Sequence, residues 1–180
     1  MEFGSGLRVV IINGKPGAGK TTFENMCCEI LGEAYSRKRS TIDKVKEIAK
    51  EAGWNGEKTP EARKMLSDLK NIFTQYNDMP LYDIVKYLNN WENDLAYYGV
   101  GNQPHVLFVD DREPWHIEKL KQALNAITVL IRRPGDEDVE TSNDSDENVF
   151  NYEYDYLIEN YKGLNDLRNF AQIFVNSIFN

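Results

Sequence analysis

Gly14-Lys15-Pro16-Gly17-Ala18-Gly19-Lys20-Thr21 fits G-x-x-x-x-G-K-[ST] at every fixed position. Gly14, Gly17 and Gly19 let the backbone wrap closely, so that its N–H groups point inward at phosphate oxygens. Lys20 can then reach the β- and γ-phosphates of ATP, and the Thr21 hydroxyl can bind Mg2+. Lys15, Ala18 and Thr22 complete the residues expected at the nucleotide. The competing reading is a glycine turn that merely joins a strand to a helix. A chance match in a chain of average composition is roughly one in a hundred or rarer.

Two further stretches place charge where such a ligand would sit. His105 to Val109 is an apolar run ending in Asp110-Asp111-Arg112-Glu113. Ligands of open parallel sheets lie outside the carboxyl ends of the strands. Asp110 is therefore expected to hold the Mg2+ hydration shell, and Asp111 and Arg112 to stand near the transferred or acceptor phosphate. A capping Asp and a solvent-exposed Arg would explain the same residues without function. Ala126 to Ile131 runs into Arg132-Arg133 in the same way. Guanidinium groups there suit the bridging of donor and acceptor phosphates. Their alternative role is to neutralise the acidic loop that follows.

The elements needed to position these groups are readable along the chain. Leu7 to Asn13 reads as a buried strand and Lys20 to Leu31 as the helix after it, ended by Gly32. Ala34 to Ser36 suggests a short second strand. Ser40 or Thr41 is expected to cap a helix running to about Ala52, and Thr59-Pro60 to open another. Ala62, Met65, Leu66, Leu69, Ile72, Phe73 and Tyr76 then recur at helical spacing, and a further helix follows Pro80. Ile117, Leu120 and Leu124 mark a short helix, Tyr154 to Ile158 a last strand, and Leu164 to Phe179 a last helix. Strands alternating with helices imply a three-layer α/β/α fold of the P-loop type around a mainly parallel five-stranded sheet. Residues 7–180 form one domain in this reading, with a helical acceptor-binding region at 40–98 and an acidic lid-like loop at 134–150. The opening MEFGSG reads as a cloning remnant, and no internal repeat is visible.

A chain of 180 residues with net charge -8 argues against nucleic acid or an anionic membrane as the main partner. Asp136 to Glu147 holds seven acidic residues and no basic one, so an anionic ligand needs a focused cationic pocket. The only cysteines, Cys27 and Cys28, are adjacent, which suits neither a stapling disulfide nor a zinc site and points to the cytoplasm. No apolar run is long enough to span a membrane. His105 and His116 have no partner at triad or metal spacing and read as structural.

GKPGAGKTT, VDDRE, VLIRRPGD and NYEYDYLIENYKGLNDL, taken in this order, resemble the nucleoside monophosphate kinase-like branch of P-loop proteins. The nearest likeness is to phage-type deoxynucleoside monophosphate kinases, with a looser one to animal-type phosphomevalonate kinase. The resemblance implies transfer of the ATP γ-phosphoryl group to a small monophosphate acceptor lying under the helices after Ser40. It places Tyr161 beside adenine. Lys20, Arg112, Arg132 and Arg133 would be catalytic, and Arg37, Lys70 and Asp111 would meet the acceptor. The loop after Arg133 departs from the pattern, being acidic where adenylate kinase lids carry arginines. A kinase of this fold with another acceptor, or a nucleotide-binding regulatory module with none, remains open. The lack of an N-K-x-D element argues against a GTPase.

Overall fold

A computed structural model describes residues 6–135, 148–161 and 163–179. Strands and helices alternate as β1 (Leu7–Asn13), α1 (Lys20–Leu31), β2 (Ser36–Ser40), α2 (Asp43–Glu51), α3 (Pro60–Asn77), α4 (Met79–Tyr97), β3 (His105–Asp110), α5 (Pro114–Leu124), β4 (Ile127–Arg132), β5 (Tyr156–Glu159) and α6 (Leu164–Ser177). The five strands form one sheet in the order β2-β3-β1-β4-β5. Every neighbouring pair is parallel, so the sheet is wholly parallel where the sequence suggested mainly so. Every strand therefore delivers its carboxyl end to the same edge.

Strand side chains alternate between two apolar layers, which is why the strands read as continuous hydrophobic runs. Val10, Ile12, Val106, Phe108, Val129 and Ile131 pack with Phe23, Cys27, Ala171 and Phe174 of α1 and α6. Val9, Ile11, Leu107 and Val109 pack with Ile84, Leu88, Ile117, Leu120 and Leu124 of α4 and α5. Fully burying one such side chain stabilises the fold by roughly 1.5–3 kcal/mol. A smaller cluster of Val45, Ala49 and Leu66 joins α2 to α3.

Three local expectations need correction. Ala34 is part of a single 3-10 turn, Glu33–Tyr35, and the second strand is Ser36–Ser40. This strand is a sheet edge, so its central Arg37-Lys38-Arg39 finds room for charge on both faces and shows no apolar signature. Ser40 and Thr41 do not cap α2. That helix begins at Asp43 without a side-chain cap, and the Thr41 hydroxyl donates instead to Asp111 at 2.6 Å. The last strand starts at Tyr156, because the Tyr154 hydroxyl turns inward to accept from Asn13 at 2.7 Å. Thr59 does cap α3, accepting from the Ala62 N–H at 3.2 Å with Pro60 in the first turn. The acidic residues 136–147 of the expected lid lie outside the described residues.

Candidate active site

The glycine-rich turn leaves β1 at the centre of the sheet and enters α1. Asn13 sets its geometry: its buried side chain accepts from the Gly14 N–H at 2.7 Å and donates to Tyr154 and to the Arg112 carbonyl. Gly14 has no alternative, since a Cβ there would lie 2.3 Å from the Ile131 carbonyl oxygen. The turn closes with Ala18 N–H donating to the Lys15 carbonyl at 3.2 Å. Gly19, at φ 105°, is the N-cap of α1 and supplies no capping side chain, so the first helical N–H groups face the turn. Lys20 folds back across it and donates to the Gly14 and Lys15 carbonyls at 2.5 and 2.9 Å. Thr21 is exposed beside Lys20, and Thr22 is half-buried.

Asp110 ends β3, which pairs directly with β1. Glu24, one helical turn after Lys20, is almost wholly buried and shares a hydrogen bond with Asp110. Burial pushes the Glu24 carboxyl up to about 8, helped by the Asp110 charge and by that hydrogen bond. Burial also raises Asp110, while Glu24, Lys20 and Arg112 pull it down. The pair is thus a proton-sharing dyad with Glu24 as donor. Glu24 escapes sequence reading because it sits among Phe23 and Cys27 on an otherwise apolar helix face; its signal is its spacing of four from Lys20.

Asp111 does something different. It is fully buried and accepts from Thr41, from Lys70 at 3.0 and 3.2 Å, from His116 Nδ1 at 2.5 Å, and from the Arg112 and Glu113 N–H groups at 2.7 and 3.1 Å. Burial works to raise its carboxyl, but the Lys70 charge and the His116 and Thr41 bonds outweigh it and hold it well below the usual range. Lys70 of α3 is therefore anchored at Asp111.

The other expected residues are distributed round the same edge, with one exception. Arg132 and Lys15 both approach Phe150, at 5.7 and 5.5 Å from the ring centre. Arg112 and Arg133 are exposed. Tyr161 is half-exposed and donates to Glu159 at 3.0 Å. Arg37 lies away from the edge, level with Leu107, where it donates to the Glu33 and Ser36 carbonyls and covers Trp91. Asn160, which the sequence does not advertise, is buried where β5 ends. Its side chain donates to the Ala18 carbonyl at 2.8 Å and its N–H to the Arg132 carbonyl at 2.7 Å, tying the turn to the ends of β4 and β5.

The fold and this turn together define a three-layer α/β/α protein with a wholly parallel five-stranded sheet and a glycine-rich strand-to-helix turn at its centre. No protein-family model matches the chain. No curated protein matches it either. Among solved structures, one described as a candidate kinase from Chloroflexus aurantiacus J-10-fl is similar over 96% of this chain and 97% of its own, with a TM-score of 0.51 and 12% identity. A sugar kinase from Janibacter sp. HTCC2649, solved without ligand, covers 94% of this chain and 95% of its own, with a TM-score of 0.45 and 15% identity. At 12% identity the likeness to the Chloroflexus structure is one of fold. No helix among the described residues is long and apolar enough to cross a membrane.

Proposed function

We propose that this protein is an ATP- and Mg2+-dependent phosphotransferase acting on a (deoxy)nucleoside monophosphate. The observation that carries the reading is Lys20, folded over the Gly14 and Lys15 carbonyls at the mouth of a parallel sheet, beside the Asp110–Glu24 dyad. The turn's N–H groups and the α1 N-terminus bind the β-phosphate. Lys20 leaves its two carbonyls to offset charge on the β- and γ-phosphate oxygens. Arg112, Arg132 and Arg133 supply further cations for charge spread over the transferring group. The helices α2 to α4 close over the acceptor and exclude water, which would otherwise compete as nucleophile.

The donors present fit Mg2+. Thr21, Asp110 and Glu24 offer hard oxygens, and among the described residues no cluster of three or more His, Cys, Asp or Glu forms a metal cage. That suits an ion held by few protein groups plus phosphates and water. Bound there, Mg2+ would neutralise phosphate charge. Asp110 and Thr21 would hold it, and Glu24 would fix the orientation of Asp110.

The test is ADP release from ATP and Mg2+ with each ribo- and deoxyribonucleoside monophosphate in turn. Acceptor-dependent ADP supports the reading. ADP release only with non-nucleotide metabolites would keep the transfer and change the acceptor. Nucleotide binding with no acceptor-dependent turnover would overturn it in favour of a regulatory module.

A further inference from the structure

The two carboxylate oxygens of Asp111 have different tasks. Oδ1 accepts from the backbone N–H groups of Arg112 and Glu113, at 2.7 and 3.1 Å, and so shapes the turn that leaves β3. Oδ2 accepts from three side chains: Thr41 at 2.6 Å, Lys70 at 3.0 Å and His116 Nδ1 at 2.5 Å. The carboxylate torsion is broad on its own, so the donors at Oδ2 decide whether Oδ1 meets the turn.

The three donors are not equivalent. Thr41 precedes α2 and Lys70 rides on α3, in a region with its own small cluster of Val45, Ala49 and Leu66. His116 belongs to the core. It is fully buried on α5, beside Ile117 and Leu120 of the sheet-packed layer. Its own N–H donates to the Glu113 carbonyl at 2.9 Å, so the helix that carries the ring is joined to the same turn. Its Nε2 is buried without a hydrogen-bond partner among the described residues. An apolar side chain of similar size would avoid that unpaired atom. The bond from Nδ1 to Asp111 is thus the polar service that the ring performs.

The turn held in this way continues to the phosphate turn. The Arg112 carbonyl accepts from Asn13 Nδ2 at 3.2 Å, and Asn13 Oδ1 accepts from the Gly14 N–H at 2.7 Å. The Arg112 main chain is therefore held on both sides, by Asp111 at its N–H and by Asn13 at its carbonyl. The Arg112 charge also acts on Asp110, the residue that ends β3.

We infer that His116 is a positioning residue for phosphoryl transfer: through Asp111 it fixes the Arg112 main chain, and with it the direction from which Arg112 meets the transferring group. The effect on turnover rests on the phosphotransferase reading; the hydrogen-bonded relay from His116 to Gly14 does not.

The test compares His116→Leu, His116→Gln and His116→Asn in the full chain. An asparagine amide can stand where Nδ1 stands, whereas a glutamine amide reaches to the level of Nε2. His116→Leu and His116→Gln should lower kcat by about tenfold or more while KM for ATP stays within about twofold, and His116→Asn should recover most of the loss. In proton–nitrogen correlation spectra the Arg112 amide should move in His116→Leu and His116→Gln and return in His116→Asn. A packing role alone would not separate His116→Asn from His116→Gln. Should His116→Leu fail to fold, those two variants carry the comparison. Unchanged kcat in His116→Gln, equal loss in His116→Asn and His116→Gln, or a fall in kcat with the Arg112 amide unmoved overturns the inference. So does a moved amide with kcat intact. If the unaltered chain turns over no acceptor, the transfer reading falls by itself, and the amide comparison decides whether His116 holds the turn.

Discussion

Glu24 and Asp110 share one proton across the gap between α1 and the end of β3, directly beside Lys20. Two carboxyls so placed cannot both ionise cheaply in a buried setting. The proton on Glu24 is what allows Asp110 to stay charged next to the lysine. Replacing Glu24 by Gln should keep the hydrogen bond and most activity; Glu24→Ala should raise the Mg2+ concentration needed for half-maximal rate several-fold. Kinetics at varied Mg2+ with ATP held constant reads this difference.

The same proton links stability to pH. The Glu24 carboxyl rises from an ordinary 4.5 to about 8 on folding. The folded state therefore holds a proton that the unfolded chain has lost, and stability falls as pH rises from about 4.5 to about 8. The drop should be on the order of 1–3 kcal/mol, given the coupling to Asp110. Urea melts across this range should show it, and Glu24→Gln should flatten that limb.

Asp111 works in the opposite sense. Its carboxyl is lowered from an ordinary 3.8, so its contribution is present above that value and is lost as pH falls below it. Asp111→Ala strands Lys70 and removes the acceptor for Thr41 and His116, and should cost about 3–5 kcal/mol. Thermal melts at pH 7 measure it; a loss below 1 kcal/mol would contradict the network.

Lys20→Ala should lower turnover by about 100-fold or more, the scale of removing one preorganised donor. The melting temperature should change little, since Lys20 donates to the Gly14 and Lys15 carbonyls of the turn and its loss leaves both apolar layers of the sheet intact. Activity and near-ultraviolet circular dichroism together separate a lost charge from a lost fold.

Gly14→Ala should damage both fold and nucleotide binding, because the new methyl meets the Ile131 carbonyl, a backbone atom that cannot step aside. Gly19→Ala meets the Asn160 amide at 2.5 Å, an atom at the end of a side chain. A second change, Asn160→Ala, should relieve that clash in part. Equilibrium binding of ATP to the single and double variants decides it.

The parallel sheet and the glycine-rich turn from β1 into α1 were legible because β-branched runs and glycine spacing are local chemistry. Thr59-Pro60 marked its helix start for the same reason. The edge strand β2 was not legible, since Arg37-Lys38-Arg39 lacks any apolar pattern and owes its extended form to pairing with β3. Glu24, Asn160 and Tyr154 were hidden for another reason. Each gains its role from a partner brought close only by the fold: Asp110, Ala18 and Asn13. Asp111 and Lys70 were singled out for ligand contact, and the fold brings them to each other.

The basic rim of the sheet has a consequence for the protein in concentrated solution. β2 presents Ser-Arg-Lys-Arg-Ser along one open border of the ladder. A second molecule seeking to add a strand there would bring its own identical cations against these, with no apolar side chains to cement the junction. The border thus repels its own copies, and fibrous or domain-swapped association through this side is selected against by the same charges that hid the strand.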